Sequence, residues 1–156
     1  MHRQLIERYA AEADDLGKSI AGLSQDDLNA FPVPGTWSIQ QIVLHMLDSD
    51  LIAADRMKRV IAEDNPLLLG YDESKFAQRL HCDKLDPHLA CEVFAKNRRL
   101  MAEILHRCSD ADFQRTGIHS ERGKITLLDL VNTYTQHLQH HLKFVREKRK
   151  LLGKPA

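Results

Sequence analysis

Hydrophobic residues recur every three or four positions in four long segments of the chain, the spacing of one face of an α-helix. The first segment covers residues 2–23, and its apolar residues form one stripe: Leu5, Tyr9, Ala13, Leu16, Ile20 and Leu23. Three further segments, residues 38–62, 86–107 and 126–151, carry the same periodicity. The pattern therefore predicts four amphipathic helices.

Residues that favour helix starts stand at the beginning of the last three segments. Ser38 is followed three positions later by Gln41, which predicts a capping box. Asp86 and Pro87 are a typical cap and first-turn pair, and Thr126 is the expected cap of the last helix. We therefore expect these three helices to begin at those residues.

The breaks between the helices are rich in Pro, Gly, Asp and Ser. Residues 24–37 contain an acidic turn and then PVPGTW, which cannot be helical. Residues 64–85 form a connection long enough for a crossover, and such connections often lie over a site. Residues 113–127 predict either a loose hairpin or a plain loop. The sequence thus predicts an all-α four-helix bundle with at least one crossover, as a single domain of residues 1–156.

Composition excludes several classes of protein. The 156 residues are 43% hydrophobic and 28% charged, as in a globular protein, and no apolar run approaches the roughly 20 residues that span a bilayer. We therefore expect a cytoplasmic protein that does not bind membranes. Lys plus Arg equals Asp plus Glu at 22 each, which argues against a nucleic-acid partner. The three cysteines, Cys82, Cys91 and Cys108, form no CxxC pair and predict neither a disulfide framework nor a thiolate zinc site.

Three histidines stand within five residues of the last helix. At about 100° per residue, His137 and His141 fall about 40° apart on the shoulder of the apolar face, whereas His140 falls among polar residues. Two imidazoles at positions i and i+4 can share one divalent metal ion. His45, in the second and most apolar helix, is the best third ligand. The remaining histidines are weaker candidates: His2 is terminal, and four others lie in loops or near helix ends and are expected to be solvated, namely His81, His88, His106 and His119.

The residues alone leave two interpretations of this histidine set open. Three imidazoles and an open position are typical of a catalytic zinc site, and imidazole also suits nickel. Histidines on a helix shoulder are also common as hydrogen-bonded core residues. Two other polar residues, Asp50 and Asn97, fall on apolar helix faces and should each have a partner. Asp50 could orient a ligand imidazole or pair with an arginine, and we favour the arginine.

Two segments resemble the DinB-like superfamily. The stretch GTWSIQQIVLHMLDSD resembles its Trp-Ser-to-His signature, with Trp37, Ser38 and His45 in place, and TQHLQHHLKFV resembles its closing His-rich element. The stretch GYDESKF is most similar to the YfiT-like branch, described as metal-dependent hydrolases. The resemblance implies an up-down-down-up four-helix bundle and a divalent metal, often nickel or zinc. By position its ligands correspond to His45, His137 and His141.

The resemblance leaves the reaction open. A metal-dependent hydrolase of a small-molecule substrate is the first hypothesis. Thiol-dependent S-transferases that use bacillithiol or mycothiol also belong to the superfamily, so a low-molecular-weight thiol cosubstrate is an alternative. A bundle that binds metal without catalysis is a third. Many members are dimers, which implies a homodimer here. Asp50 and the acidic loop residues Asp72 and Glu73 are the candidates for a general base.

Overall fold

The computed structural model describes residues 2–155. Its α-helices are α1 (Arg3–Ala11), α2 (Asp15–Ser19), α3 (Gln25–Asn29), α4 (Ile39–Ala62), α5 (Glu73–Arg79), α6 (Pro87–Leu105) and α7 (Leu127–Leu151). Its strands are β1 (Leu67–Leu68), β2 (Thr116–His119) and β3 (Gly123–Thr126), and 3-10 turns cover Glu12–Asp14 and Asp112–Gln114. Among the helices of residues 2–155, none is both long and apolar enough to cross a membrane. The predicted four-helix bundle is confirmed, and it is built from α1 with α2, α4, α6 and α7.

The helix starts follow the capping residues of the sequence. The Ser38 hydroxyl accepts from the backbone N–H of Gln41, while the Gln41 side chain accepts from the N–H of Ser38. Thr126 caps α7 in the same reciprocal way, and Asp86 caps α6 with Pro87 in its first turn. These three predicted starts are confirmed, so local hydrogen bonding fixes where each helix begins.

The second helix of the bundle, α4, runs in the same direction as α6. Gln40, in the first turn of α4, donates to the carbonyl of Leu85 at 2.9 Å, just before α6 begins. Asp50, near the middle of α4, accepts from Arg98 in the middle of α6 at 2.9 Å. The long predicted connection between the two helices therefore is a crossover that returns the chain to the same end of the bundle.

The last helix, α7, runs antiparallel to α4. His45 of α4 meets His137, whereas Arg56, further along α4, meets Tyr134, which comes earlier in α7. Residue numbers in the contacting pairs therefore increase along α4 while they decrease along α7, as in antiparallel helices. This arrangement brings the middle of α4 beside the His-rich part of α7.

The first helical segment packs antiparallel to α6. The Arg98 guanidinium lies 4.5 Å from the ring centre of Tyr9, and a Cβ added at Gly17 would lie 3.6 Å from the Cβ of Cys91. Residue numbers in the contacting pairs thus increase along the first segment while they decrease along α6. The two are antiparallel, as an up-down-down-up order requires. The segment is not the single helix that its periodicity predicts, because a 3-10 turn separates α1 from α2. The acidic turn after it contains α3, capped by Ser24 with Asp27.

A small three-stranded sheet lies at one end of the bundle. β2 and β3 pair antiparallel, which confirms the hairpin interpretation of residues 113–127. β1, in the connection after α4, pairs parallel with β2 and was not predicted. A Cβ added at Gly117 would lie 3.1 Å from the carbonyl oxygen of Pro66, so glycine allows the two strands to approach this closely.

The apolar core has two parts with a polar layer between them. Along α4, residues 39–46 supply the first cluster and residues 53–60 the second. Along α7 the order is reversed, with residues 127–134 in the second cluster and 138–145 in the first. The polar layer consists of Ser49, Asp50, Asn97, Arg98 and His137. A layer of polar groups across the centre of a bundle is costly unless each group has a partner. A functional site is therefore expected at this layer.

Candidate metal centre

Three histidines converge at the polar layer. His45 on α4 is buried, with 3% of its surface exposed, while His137 and His141 lie one turn apart on α7 and are half-buried. The Nε2 atoms of His45 and His137 are 3.3 Å apart, and one ring nitrogen from each of the three residues lies within 4.8 Å of the others. His140 is exposed. The structure thus brings together the three histidines singled out from the sequence and leaves the fourth outside, while metal binding by them stays a prediction.

The spacing of these nitrogens suits a tetrahedral divalent metal. With Zn–N bonds of about 2.0–2.1 Å, two ligand nitrogens of a tetrahedral site are roughly 3.3–3.4 Å apart. The His45 to His137 separation of 3.3 Å already matches that value. All three ligand nitrogens lie within 4.8 Å of one another, which is within reach of a rotation of an imidazole ring.

The electrostatic state of the rings also suits a metal. Burial lowers the pKa of His45 and His141 to about 4, and burial together with His141 and His45 lowers the pKa of His137 to about 3. All three rings are therefore neutral near pH 7 and present lone pairs. The buried Nδ1 atoms of His45 and His141 have no hydrogen-bond partner in the described chain. Neutral rings are what a metal site requires, because only a neutral imidazole has a free lone pair to offer.

Two neighbours orient the rings. The Ser49 hydroxyl lies 3.4 Å from Nδ1 of His137 and also bonds the side chain of Tyr71. Since Ser49 holds Nδ1, the Nε2 atom of His137 is directed toward His45. Trp37 packs against the His45 ring at 4.9 Å between ring centres. Such groups around a site fix the orientation of ligand rings.

An acidic side chain from the crossover connection reaches the same point. The carboxylate oxygen Oε2 of Glu73, in the first turn of α5, lies 3.7 Å from Nε2 of His45. The Glu73 side chain is 57% exposed, so solvent has access to this side of the cluster. The expectation that the 64–85 connection lies over a site is therefore met. Of the three carboxylates considered as a base, Glu73 is the one that contacts the histidine cluster in the described chain.

Asp50 is instead part of a buried ion pair. Its Oδ1 accepts from Nε of Arg98 at 2.9 Å and its Oδ2 accepts from Nδ2 of Asn97 at 2.7 Å. The prediction that Asp50 pairs with an arginine, and that Asn97 has a partner, is confirmed. Burial raises the pKa of the Asp50 carboxyl, and the Arg98 guanidinium opposes that shift. Asp50 therefore stabilises the polar layer next to the histidines and does not orient them.

A polar cavity of about 370 Å³ opens beside the cluster. Polar side chains of α4, the crossover, β2 and α7 line it, among them Ser49, Arg56, Tyr71, His119, Tyr134 and His137. His119 was expected to be solvated, and that expectation is wrong, since only 6% of its surface is exposed. Alternation along β2 turns Ile118 outward and places Gly117 and His119 inward.

Sequence reasoning missed Arg56 and Ser49 as residues of this region. Both are buried and both lie on the face of α4 that carries His45. Their spacing was a usable signal. Ser49 follows His45 by 4 residues and Arg56 follows it by 11, and both intervals bring a side chain to within about 40° of His45 around the helix. A polar residue at such a position on a central helix is therefore predicted to be buried, as Asp50 was.

The remaining polar expectations are mostly met. His81, His88 and His106 are exposed as predicted, and His2 is half-buried against the ring of Phe113. The three cysteines are unpaired thiols, two of them buried.

Comparison with known proteins places this geometry in a family. The family model described as "DinB superfamily" matches residues 8–145. The chain belongs to the DinB superfamily. The match covers all four bundle segments and the crossover, so the resemblance expected from the Trp37 and His-rich segments is confirmed.

Curated relatives share this domain at low identity. A protein of Oceanobacillus iheyensis named "putative metal-dependent hydrolase" is 28% identical over 145 residues, covering 90% of this chain and 84% of its own length. A protein of Bacillus mycoides with the same description is 27% identical over 154 residues, covering 96% of this chain and 88% of its own. Relatives of this DinB-superfamily chain are therefore named as metal-dependent hydrolases.

A solved structure has the same fold. YfiT from Bacillus subtilis, described as "a probable metal-dependent hydrolase with an unusual four-helix bundle topology", superposes with a TM-score of 0.91 at 22% identity. The match covers 97% of this chain and 87% of the YfiT chain. At this identity the similarity establishes the fold of the DinB-superfamily chain, and the chemistry must be argued from its own residues.

Proposed function

We propose that this DinB-superfamily protein is a divalent-metal-dependent hydrolase in which His45, His137 and His141 hold the metal. The observation that carries the proposal is the 3.3 Å separation between Nε2 of His45 and Nε2 of His137, with a nitrogen of His141 within 4.8 Å. The names of the curated relatives support the same class of reaction.

The three imidazoles supply neutral nitrogen ligands from two helices. Since α4 and α7 are held by their caps and by apolar packing on both sides of the polar layer, the rings are positioned before any ion arrives. A divalent ion held by these three imidazoles would supply Lewis-acid chemistry, lowering the pKa of a water toward neutral and polarising a carbonyl. Zinc and nickel both suit this set of ligands.

Glu73 is the residue placed to move a proton. Its carboxylate is 3.7 Å from Nε2 of His45 and reaches the cluster from the exposed side. A water between this carboxylate and the cluster would be within hydrogen-bonding reach of Glu73, which can accept its proton as the water attacks and return it to the leaving group. Ser49 keeps the His137 ring oriented during these steps through its contact with Nδ1.

Hydrolysis of simple substrates tests the proposal. Purified protein would be stripped with a chelator, reloaded with zinc or nickel, and assayed with a panel of 4-nitrophenyl esters and anilides without added thiol. We expect turnover in the reloaded protein, loss of turnover after stripping, and loss in His141→Ala. His140→Ala is the matched control, since His140 is adjacent in sequence but exposed, and it should retain turnover.

Two outcomes would refute the proposal. One is turnover that is equal before and after stripping, which would show that the metal is not required. The other is an absence of turnover across the panel by a protein that contains stoichiometric metal. Turnover that appears only when a low-molecular-weight thiol is supplied would replace hydrolysis with thiol transfer at the same site.

A further inference from the structure

The polar cavity beside the cluster contains a buried cation without an anionic partner. Arg56 is 8% exposed and lines this cavity of about 370 Å³. Among residues 2–155, no carboxylate forms an ion pair with its guanidinium. By contrast, the buried guanidinium of Arg98 in the polar layer pairs with Asp50 at 2.9 Å. A buried charge of this kind is costly unless an opposite charge accompanies it.

The contacts that Arg56 does make leave its charge unmatched. Nη1 donates to the hydroxyl oxygen of Tyr134 at 2.6 Å, and Nη2 donates to the backbone carbonyl of Leu69. Nε is buried and has no partner among the described residues. These neutral acceptors hold the guanidinium in place without neutralising it.

Two further hydrogen-bond donors line the same cavity. The Tyr134 hydroxyl oxygen accepts from Arg56, so its own proton remains available for another acceptor. Nδ1 of His119 accepts from the backbone N–H of Glu121 at 3.2 Å, which places the proton of the neutral ring on Nε2. Burial, then Arg56 and Arg122, lowers the pKa of His119, so its ring is neutral near pH 7. The inner part of the cavity therefore presents one positive charge and donor hydrogens.

The acidic residues of the cavity lie at its exposed rim. Asp72 accepts from the backbone N–H of Lys75 and pairs with its ammonium group at 3.2 Å, while Glu73 leans toward His45. Glu121 and Arg122 also line the cavity and are both exposed on the hairpin, so their opposite charges offset each other at the rim. The negative charges of this rim repel a multiply charged anion. The buried cation of this cavity, Arg56, can balance one negative charge. A single carboxylate fits this balance better than a phosphate dianion.

We infer that the polar cavity binds the carboxylate of an acidic substrate through Arg56, Tyr134 and His119. His137 lines the same cavity, and its ring centre lies 6.4 Å from that of Tyr134. A substrate held by its carboxylate thus reaches the histidine cluster with a group only a few bonds away. The inference deepens the proposed function by assigning it short acidic esters or amides, whereas carboxylate binding itself does not depend on that function.

Titration calorimetry on metal-stripped protein tests the inference, because a carboxylate then has no ion to bind. Glutarate is the probe and glutaramide, its uncharged diamide, is the matched control ligand. We expect glutarate to bind at least about tenfold more tightly than glutaramide and Arg56→Met to lose that preference. Arg59→Met is the matched control variant, since Arg59 lies on the exposed side of α4, and it should bind glutarate like the wild type.

Circular dichroism would show whether Arg56→Met folds. If it does not, the comparison of glutarate with glutaramide on the wild-type protein still tests the inference. Equal binding of glutarate and glutaramide, or no binding of glutarate, overturns the inference. A folded Arg56→Met protein that still prefers glutarate overturns it as well. Failure of the hydrolase proposal leaves these results unchanged, because metal content and turnover are measured separately.

Discussion

The Nε2 atom of His45 lies 3.3 Å from the Nε2 atom of His137, although 92 residues separate them in the chain. The pairing arises because α4 and α7 run antiparallel and each begins at a residue with a reciprocal cap. A shift of α7 by one residue would rotate its imidazoles by about 100° away from α4. The site therefore depends on the register of the whole helix pair.

Loss of one ligand should remove the metal without unfolding the bundle. We expect wild-type protein to bind one zinc or nickel ion per chain and His141→Ala to bind it more weakly by over about 100-fold, which exceeds the usual loss from removing an outer-sphere group. Calorimetric titration and elemental analysis after desalting measure this directly. His140→Ala should bind like the wild type. Stoichiometric metal retained by His141→Ala would contradict the assignment of that ligand.

Replacement of Glu73 should slow turnover while sparing the metal. Its carboxylate is 3.7 Å from Nε2 of His45, and removal of a general base typically costs about 10²-fold or more in rate. Glu73→Gln should therefore lower kcat by about that factor at unchanged metal content. Glu103→Gln, an exposed glutamate on α6, serves as the control and should retain kcat. Loss of metal together with activity would instead make Glu73 a ligand.

The cap of α7 should confer a pH dependence on stability. The Asp129 carboxylate accepts from the N–H and the hydroxyl of Thr126 at 2.9 and 2.7 Å, and these bonds lower its pKa from the ordinary 3.8. A carboxyl with a lowered pKa in the folded state stabilises the fold above its unfolded pKa, and this contribution is lost as the pH falls through the folded value. Asp129→Asn should thus lower the free energy of unfolding at pH 7 by about 0.3–1 kcal/mol.

Urea unfolding at pH 7 and near pH 2.5 tests this expectation. The difference in stability between Asp129→Asn and the wild type should shrink at the lower pH, where a larger fraction of the wild-type carboxyl is protonated. Asp83→Asn, at an exposed position, controls for a general effect of charge removal. A difference that is the same at both pH values would contradict the prediction.

Local sequence signals were sufficient for α4, α6 and α7 and for the three histidines, but they predicted one helix where α1 and α2 are separate and did not predict α3 or α5. Helical period, the capping pairs at Ser38 and Thr126, and the angular placement of His137 and His141 are all properties of neighbouring residues. His140 was set aside correctly by the same angular argument. These features need no knowledge of the packed fold beyond the expectation that an apolar face points inward.

Features that depend on distant partners were not predictable in this way. The strand β1 has two residues, too few for a pattern, and exists because β2 supplies its partners. His119 is buried by that same strand pairing, so the residues next to it in the sequence did not indicate its burial. Arg56 had a spacing signal relative to His45, but an arginine on a helix is usually solvated, and only the packing of Tyr134 against it reveals its burial.

The buried pair of Arg98 and Asp50 should be the most sensitive point of the polar layer. Both side chains are 1% exposed, and Arg98 also donates to the carbonyl of Tyr134 at 2.7 Å. Arg98→Met leaves the Asp50 carboxylate buried without its cation, which should lower the free energy of unfolding by about 3–5 kcal/mol in urea denaturation. The neighbouring Arg99→Met removes only an exposed pair with Asp14 and should cost less than about 1 kcal/mol. If the two variants are equally stable, the buried pair does not hold the layer together. The double variant of Arg98→Met with Asp50→Leu removes both charges, so it should recover much of the loss if the unpaired carboxylate is its cause.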